Sequence, residues 1–221
     1  MALTKDMNTD EMIKFIDNEL LPQTTQEIEN LIHPRKKTGG YFVVTRQILC
    51  MVDFLGAVYS GYPRSERIKD KNEGREGIAS SKKAIKFIRA FFKPKSLYKK
   101  DLVVKLHTMY RHGLVHLYQP RILVYKNNST LEWFIYKGKR NQSQMSVNTN
   151  QGKIIVNNVN HFNIIQISTN KKKYHLAICI DALYEDFRQA TIEYKDKLKN
   201  TKYLQTNWRT ATNAICTPKW C

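Results

Sequence analysis

The spacing of apolar side chains along this chain predicts a mostly helical protein. Residues 9–20 repeat apolar positions once per helical turn, and residues 41–59 are apolar on nearly every side, which is typical of a buried central helix. Two further helical segments, at residues 81–92 and 96–118, end shortly before prolines. A last long helix is predicted to begin near Lys173. Its apolar stripe, with members three or four residues apart, consists of Leu176, Ile180, Leu183, Phe187, Ala190, Tyr194 and Leu198.

Ahead of that last helix the period of the pattern changes to two. Residues 122–124 and 133–135 alternate apolar and polar side chains, and further short strands are expected at 154–156 and 162–167. Links rich in Asn and Gly separate these runs. The pattern therefore predicts a small antiparallel β-meander within residues 120–168.

Together these elements predict an α+β fold in a single domain of 221 residues. Residues 8–118 and the last helix at 173–199 are expected to form a helical bundle, with the meander inserted before that helix. Residues 200–221 show no period, so we expect a tail.

The charge of the chain is strongly positive and unevenly distributed. The sequence has 37 Lys and Arg against 19 Asp and Glu, a net charge of +18. Residues 1–31 carry two basic and seven acidic side chains, whereas residues 64–105 carry 14 basic and five acidic ones. A positive field this concentrated attracts polyanions, most commonly nucleic acid. In the basic region, the side chains expected to contact nucleic acid are Lys82, Lys83, Lys86 and Arg89.

Several classes of protein lack support in the sequence. No apolar run approaches the roughly 18 to 20 residues that cross a bilayer, and the start lacks the pattern of a signal peptide, so we expect a cytoplasmic protein without a membrane partner. The four cysteines are widely spaced with no CxxC pair, which favours reduced thiols. Phosphate-binding glycine loops, GxSxG and HExxH are missing. We therefore expect no cofactor.

Three of the six histidines, His107, His112 and His116, lie within ten residues. His112 and His116 would share a helix face, but two ligands without a third nearby make a weak site, so no metal is predicted. The surrounding stretch, residues 110–118, reads YRHGLVHLY. In it Arg111 precedes His116 by five positions, and Tyr118 follows two residues later.

These residue types suit the cleavage of RNA. Arg111 can hold a phosphate by two parallel hydrogen bonds while negative charge builds up. His116 can take or give a proton near neutral pH, and His112 is a candidate second proton carrier. Side chains five apart on an ideal helix diverge by about 140°, so Arg111 and His116 need a local distortion to converge, which Gly113 could supply.

The stretch resembles the signature of the HEPN family: Arg, a polar residue, a spacer and His, with Tyr two further on in one branch. The resemblance covers these nine residues closely and the helical pattern around them loosely. It implies a homodimer in which two motif copies line one cleft and cut RNA without a metal, leaving a cyclic phosphate. In the Tyr-containing branch a nucleotidyltransferase antitoxin attaches AMP to the tyrosine, which makes Tyr118 a candidate regulatory site.

The leading hypothesis is thus a metal-independent endoribonuclease of the toxin or defence type. One alternative is a non-catalytic module that uses the basic surface to bind nucleic acid. Another is a protein-interaction module, in which Arg111 pairs with a carboxylate and Tyr118 caps the bundle.

Overall fold

The computed structural model of the protein describes residues 2–32, 41–61, 78–111, 113, 119–149, 152–167 and 172–216. Its fold is α+β, as predicted. The helices are α1 (Thr9–Phe15), α2 (Leu21–Ile32), α3 (Tyr41–Ser60), α4 (Ile78–Phe91), α5 (Lys100–Leu106), α6 (Ile180–Asn200) and α7 (Lys202–Cys216), with a first π-helix at Ile16–Leu20 and a second at His107–Arg111. The strands are β1 (Leu123–Val124), β2 (Thr130–Tyr136), β3 (Asn141–Thr149), β4 (Gly152–Asn160), β5 (Asn163–Ile165) and β6 (Lys173–Cys179).

Helix α3 lies at the centre of the helical layer. It packs against α2, α4, α6 and α7. The sequence predicted no span of a bilayer, yet among the described residues this helix, with its 20 residues, is long and apolar enough to cross one. Half of the most apolar 18-residue stretch of this helix is buried inside the fold. Its buried apolar side chains face neighbouring helices, which makes α3 a core helix of this fold.

The four strands β1, β2, β6 and β5 form one sheet in that order. Strands β2 and β6 are parallel, with Leu131 opposite Tyr174 and Tyr136 opposite Cys179, while β1 and β5 are antiparallel to their neighbours. Strands β3 and β4 form a separate antiparallel hairpin. The strand pairs within residues 120–168 are antiparallel, as predicted. They do not form one meander, however, because they belong to two sheets, and β6 adds a parallel pair that makes the larger sheet mixed.

The last long helix begins at Ile180, and the prediction that it starts near Lys173 is wrong because Lys173–Cys179 is strand β6. Leu176 and Ile178 face the helices, whereas Ala177 and Cys179 face the β3–β4 hairpin, and all four are buried. A strand covered on both faces has no period of two. Leu176 and Ile180 are four residues apart, and this spacing was therefore mistaken for the start of the helical apolar stripe.

The predicted tail contains a helix, α7. Its buried residues Leu204, Trp208 and Ala211 form a stripe with helical spacing that sequence analysis missed. Trp208 is fully buried, and its ring centroid lies 6.2 Å from that of Phe15 and 6.1 Å from that of Phe54. The C-terminal helix therefore completes the core around α1 and α3.

Candidate functional site

The motif in residues 110–118 begins at the end of the second π-helix. The structure describes the backbone of Arg111, the last residue of that helix, and also Gly113. The side chain of Arg111 lies outside the described part of the chain, as do His112, His116 and Tyr118. The candidate site is therefore built from the residues that hold Arg111 and Gly113 in place.

Two buried contacts anchor the second π-helix. The His107 imidazole, with 2% of its side chain exposed, lies 3.2 Å from the carboxylate of Asp53 on α3. The Tyr110 hydroxyl donates to the carbonyl of Leu176 on β6 at 3.0 Å. Tyr110 is fully buried, and burial raises its pKa, so the hydroxyl stays protonated as a donor. The residue before Arg111 is thus tied to the sheet, and the start of the π-helix is tied to the central helix.

A π-helix widens the turn by one residue, and such turns often occur at functional sites. Here the widened turn directly follows α5 and ends at the first motif residue. The distortion that the five-residue offset between Arg111 and His116 requires would lie between these two residues, where Gly113 alone is described, so that expectation stays a prediction.

Gly113 allows close packing at this point of the fold. A Cβ at this position would lie 2.6 Å from the backbone nitrogen of Arg121 and 2.7 Å from the Cα of Pro120. Arg121 also donates its backbone N–H to the carbonyl of Met109 at 2.9 Å. Six residues of straight α-helix would separate Gly113 from Gln119 by about 9 Å, whereas Gln119 lies against Gly113 in the fold. The described residues on either side of the motif segment therefore meet at one place.

The four basic residues proposed from the sequence lie on α4. Lys82, Lys86 and Arg89 share one exposed face of this helix at spacings of four and three. Lys83 is 4% exposed instead. Its burial follows from the close approach of α3 and α4, since a Cβ at Gly56 would lie 2.6 Å from the carbonyl carbon of Lys83. Three of the four residues are thus placed where a polyanion can reach them.

Among the described residues, no group of three or more His, Cys, Asp or Glu side chains is arranged to hold a metal ion. His112 and His116, the pair with metal-ligand spacing, lie outside that part of the chain.

Comparisons with protein-family models, with curated proteins and with solved structures find no match for this chain. The resemblance to the HEPN family therefore depends on the motif.

A second polar cluster lies at the base of the β3–β4 hairpin. Arg140 Nη1 donates to Asp186 Oδ2 at 2.9 Å, and Nη2 donates to Oδ1 at 2.5 Å. The Tyr98 hydroxyl donates to the same carboxylate and lies 3.0 Å from His161 Nε2. The backbone N–H of Cys179 donates to His161 Nδ1 at 3.0 Å. The imidazole is thus neutral with its proton on Nε2, which donates to Tyr98.

Tyr98, His161 and Asp186 of this cluster are buried, whereas Arg140 keeps 32% of its side chain exposed. His161 is fully buried, and burial, followed by the charge of Arg140, lowers its pKa to about 3. Burial likewise raises the pKa of Tyr98 and of the Cys179 thiol. Groups that neither reach water nor titrate near neutral pH do not suit acid–base catalysis. The cluster instead locks the hairpin onto α6.

Sequence analysis missed the residues that position the motif. Asp53 lies inside the apolar run of α3, and Tyr110 lies in the segment 96–118 that was predicted as a helix. The sequence did contain one signal for Asp53: a single carboxylate in a helix predicted to be buried requires a polar partner. Only the fold shows that this partner is His107.

Proposed function

We propose that the protein is a metal-independent endoribonuclease of the toxin or defence type. Arg111 is the phosphate clamp, His116 the general acid–base and His112 its assistant. The motif suggests these roles, and the net charge of +18 suits an RNA substrate.

In the proposed reaction the 2′-hydroxyl oxygen of a nucleotide attacks the adjacent phosphorus, and a histidine takes the hydroxyl proton. The bond from phosphorus to the 5′-oxygen of the next nucleotide breaks, and that oxygen is protonated by a histidine. The products are a 2′,3′-cyclic phosphate and a free 5′-hydroxyl, without any oxidant or metal. Arg111 offsets the negative charge that builds up on the phosphate oxygens.

The observation that carries the proposal is the anchored π-helix that ends at Arg111. His107 and Tyr110 fix this helix to α3 and β6 from within the core. Arg121 and Gly113 bring the far end of the motif segment back to the same place. A catalytic arginine needs such support, because phosphate clamps lose rate when they shift by about 1 Å.

The HEPN resemblance extends the proposal to partners. We place the enzyme in the cytoplasm as a homodimer whose two motif copies share one cleft. Tyr118 is the proposed site at which a nucleotidyltransferase antitoxin attaches AMP and stops cleavage.

The test compares purified wild-type protein with Arg111→Ala and His116→Ala variants on a single-stranded RNA in EDTA. We expect cleavage by the wild type and a loss of about 100-fold or more in each variant. General acid–base catalysis contributes roughly 10²- to 10⁴-fold, and a donor that stabilises charge in the transition state contributes roughly 10²- to 10³-fold. Thermal unfolding shows whether each variant is folded, and the 3′ ends of the products should carry cyclic phosphate. Equal rates of RNA breakdown in folded wild type and His116→Ala would refute the proposal.

A second candidate function, nucleic-acid binding without cleavage, is favoured by the exposed basic face of α4. This face, formed by Lys82, Lys86 and Arg89, needs no contribution from the motif. Under this candidate His116→Ala leaves RNA binding unchanged and the wild type shows no cleavage.

A further inference from the structure

A surface pocket of about 640 Å³ lies between α5 and the ends of β2 and β6 where these strands begin. Its volume is in the range of sites that take a small organic ligand. The pocket is lined by Lys105, Tyr125, Lys126, Asn127, Ser129, Leu131, Ile164 and Tyr174.

The lining combines two kinds of surface. Leu131 and Ile164 supply apolar area, and beside them Tyr125 and Tyr174 each keep 37% of their surface exposed. Lys105 and Lys126 supply two positive charges, and the described residues that line the pocket include no carboxylate. Aromatic rings next to lysines, without acidic groups, suit a flat ring that carries a phosphate.

Local hydrogen bonds shape the pocket in advance. The turn after β1 is closed by the Tyr125 N–H, which donates to the Ser129 carbonyl at 2.9 Å. Within this turn Asn127 Oδ1 accepts from the Ser129 hydroxyl at 2.6 Å. Tyr174 lies on β6 directly opposite Leu131 of β2. Tyr174 is therefore held by strand pairing, and Tyr125 is held by the hydrogen bond that closes the turn.

The pocket lies on α5 and β6, and the same two elements adjoin the start of the motif. Lys105 precedes Arg111 by six residues, which is about 9 Å of helix. Tyr174 precedes Leu176 by two residues of strand, about 7 Å, and Leu176 is the residue whose carbonyl accepts from Tyr110. The pocket therefore borders α5 and β6, the two elements next to the second π-helix, and this places it near the backbone of Arg111.

We propose that the pocket binds one unpaired nucleotide of single-stranded RNA. Tyr125 and Tyr174 stack on the base, and Lys105 and Lys126 contact its phosphate. The inference deepens the proposed nuclease function, because it names single-stranded RNA as the substrate class. A base inside a duplex is stacked and paired, and so it cannot enter without being extruded.

The test measures binding without cleavage. The probe is a labelled single strand of 2′-O-methyl RNA, which lacks the hydroxyl nucleophile, and fluorescence anisotropy reports its binding. We expect Tyr125→Ala and Tyr174→Ala each to weaken binding about 5- to 100-fold. Tyr125→Phe should restore most of the affinity, since the ring does the stacking. Lys126→Glu should weaken binding more than Lys153→Glu, an equal change of charge on the hairpin.

The control for the tyrosines is Tyr203→Ala, because Tyr203 is 59% exposed on α7. Equal binding by wild type, Tyr125→Ala and Tyr174→Ala would overturn the pocket proposal, as would a duplex that competes as well as the single strand. If free UMP or AMP binds as tightly as the oligonucleotide, the pocket holds a mononucleotide and the RNA assignment is wrong. If binding behaves as expected while wild-type protein fails to cleave RNA, the pocket proposal stands and the nuclease proposal falls.

Discussion

The Asp53 carboxylate lies 3.2 Å from the His107 imidazole, and this pair joins the centre of α3 to the first residue of the π-helix that leads to Arg111. Both side chains are largely shielded, with 15% of Asp53 and 2% of His107 exposed. Removing one side chain of such a pair is costly, because the polar group of the other side chain stays buried without this hydrogen bond.

We expect Asp53→Ala to lower the free energy of unfolding by about 1 to 3 kcal/mol. If the motif acts as proposed, the rate of RNA cleavage should fall by more than the unfolded fraction of the variant accounts for. Asp53→Asn should recover much of the lost cleavage rate, because an amide oxygen can still accept a hydrogen bond from His107. Urea unfolding and cleavage rates, measured where all variants are folded, check this. Asp101→Ala, an exposed carboxylate on α5, is the control. Equal cleavage by Asp53→Ala and wild type would contradict a positioning role.

Gly113→Ala should be destabilised by about 1 to 3 kcal/mol, the usual cost of overpacking. The new Cβ would meet the backbone of Pro120 and Arg121, which cannot move aside as a side chain would. Helix propensity alone would favour Ala over Gly by about 1 kcal/mol. The sign of the change in unfolding midpoint therefore decides between the two effects, and a stabilised variant would show that the close packing is absent.

Charge reversal of the exposed basic face, Lys82→Glu with Lys86→Glu and Arg89→Glu, should weaken RNA binding. Each lost phosphate contact should also reduce the slope of log affinity against log salt by about one. Lys83→Glu belongs in a separate experiment, because Lys83 is 4% exposed and its reversal would destabilise the fold. Binding titrations at several salt concentrations measure both effects. An unchanged slope in the triple variant would remove this face from the interface.

Stability should fall as the pH drops from 6.5 towards 3. The pKa of His161 is lowered to about 3 in the folded protein by burial and by Arg140, while the unfolded imidazole titrates near 6.5. Between these values the unfolded chain binds a proton that the folded chain does not, so the folded state loses up to about 1.4 kcal/mol per pH unit. Tyr98, Asp186 and Arg140 face this imidazole in the fold.

His161→Gln removes this proton uptake while it keeps a polar side chain. The unfolding free energy of the wild type minus that of the variant, measured at pH 7.5, 6 and 5, should therefore decrease as the pH falls. His175, whose pKa burial also lowers, is present in both proteins and cancels in the difference. Parallel curves would show that His161 does not titrate as proposed.

Sequence analysis predicted the α+β class and the central helix α3, because long amphipathic and apolar runs leave few alternatives. The stripe from Leu183 to Leu198 on α6 was also predicted, and the structure confirms it as buried. Among the predicted elements, the secondary-structure type was wrong at residues 173–179 and a helix was missed at residues 202–216. In β6 both faces are covered, so the alternation vanished, and in α7 the polar neighbours of Trp208 hid a buried stripe.

For the candidate site the sequence supplied the residue types and their spacing. It identified Arg111, His112, His116 and Tyr118 as a motif, because guanidinium and imidazole groups carry phosphate and proton chemistry wherever they lie. It also named four basic residues as nucleic-acid contacts, Lys82, Lys83, Lys86 and Arg89. The structure exposes three of them on one face of α4 and buries Lys83.

What the sequence by itself determined is therefore local: the helical runs, the total charge and the motif. The tertiary structure decided the pairing of Asp53 with His107, the bond from Tyr110 to Leu176 and the pocket that joins Lys105 to Tyr174. These partners are 54, 66 and 69 residues apart in the chain. Contacts over such distances depend on how helices and strands pack, and no pattern of neighbouring residues encodes that directly.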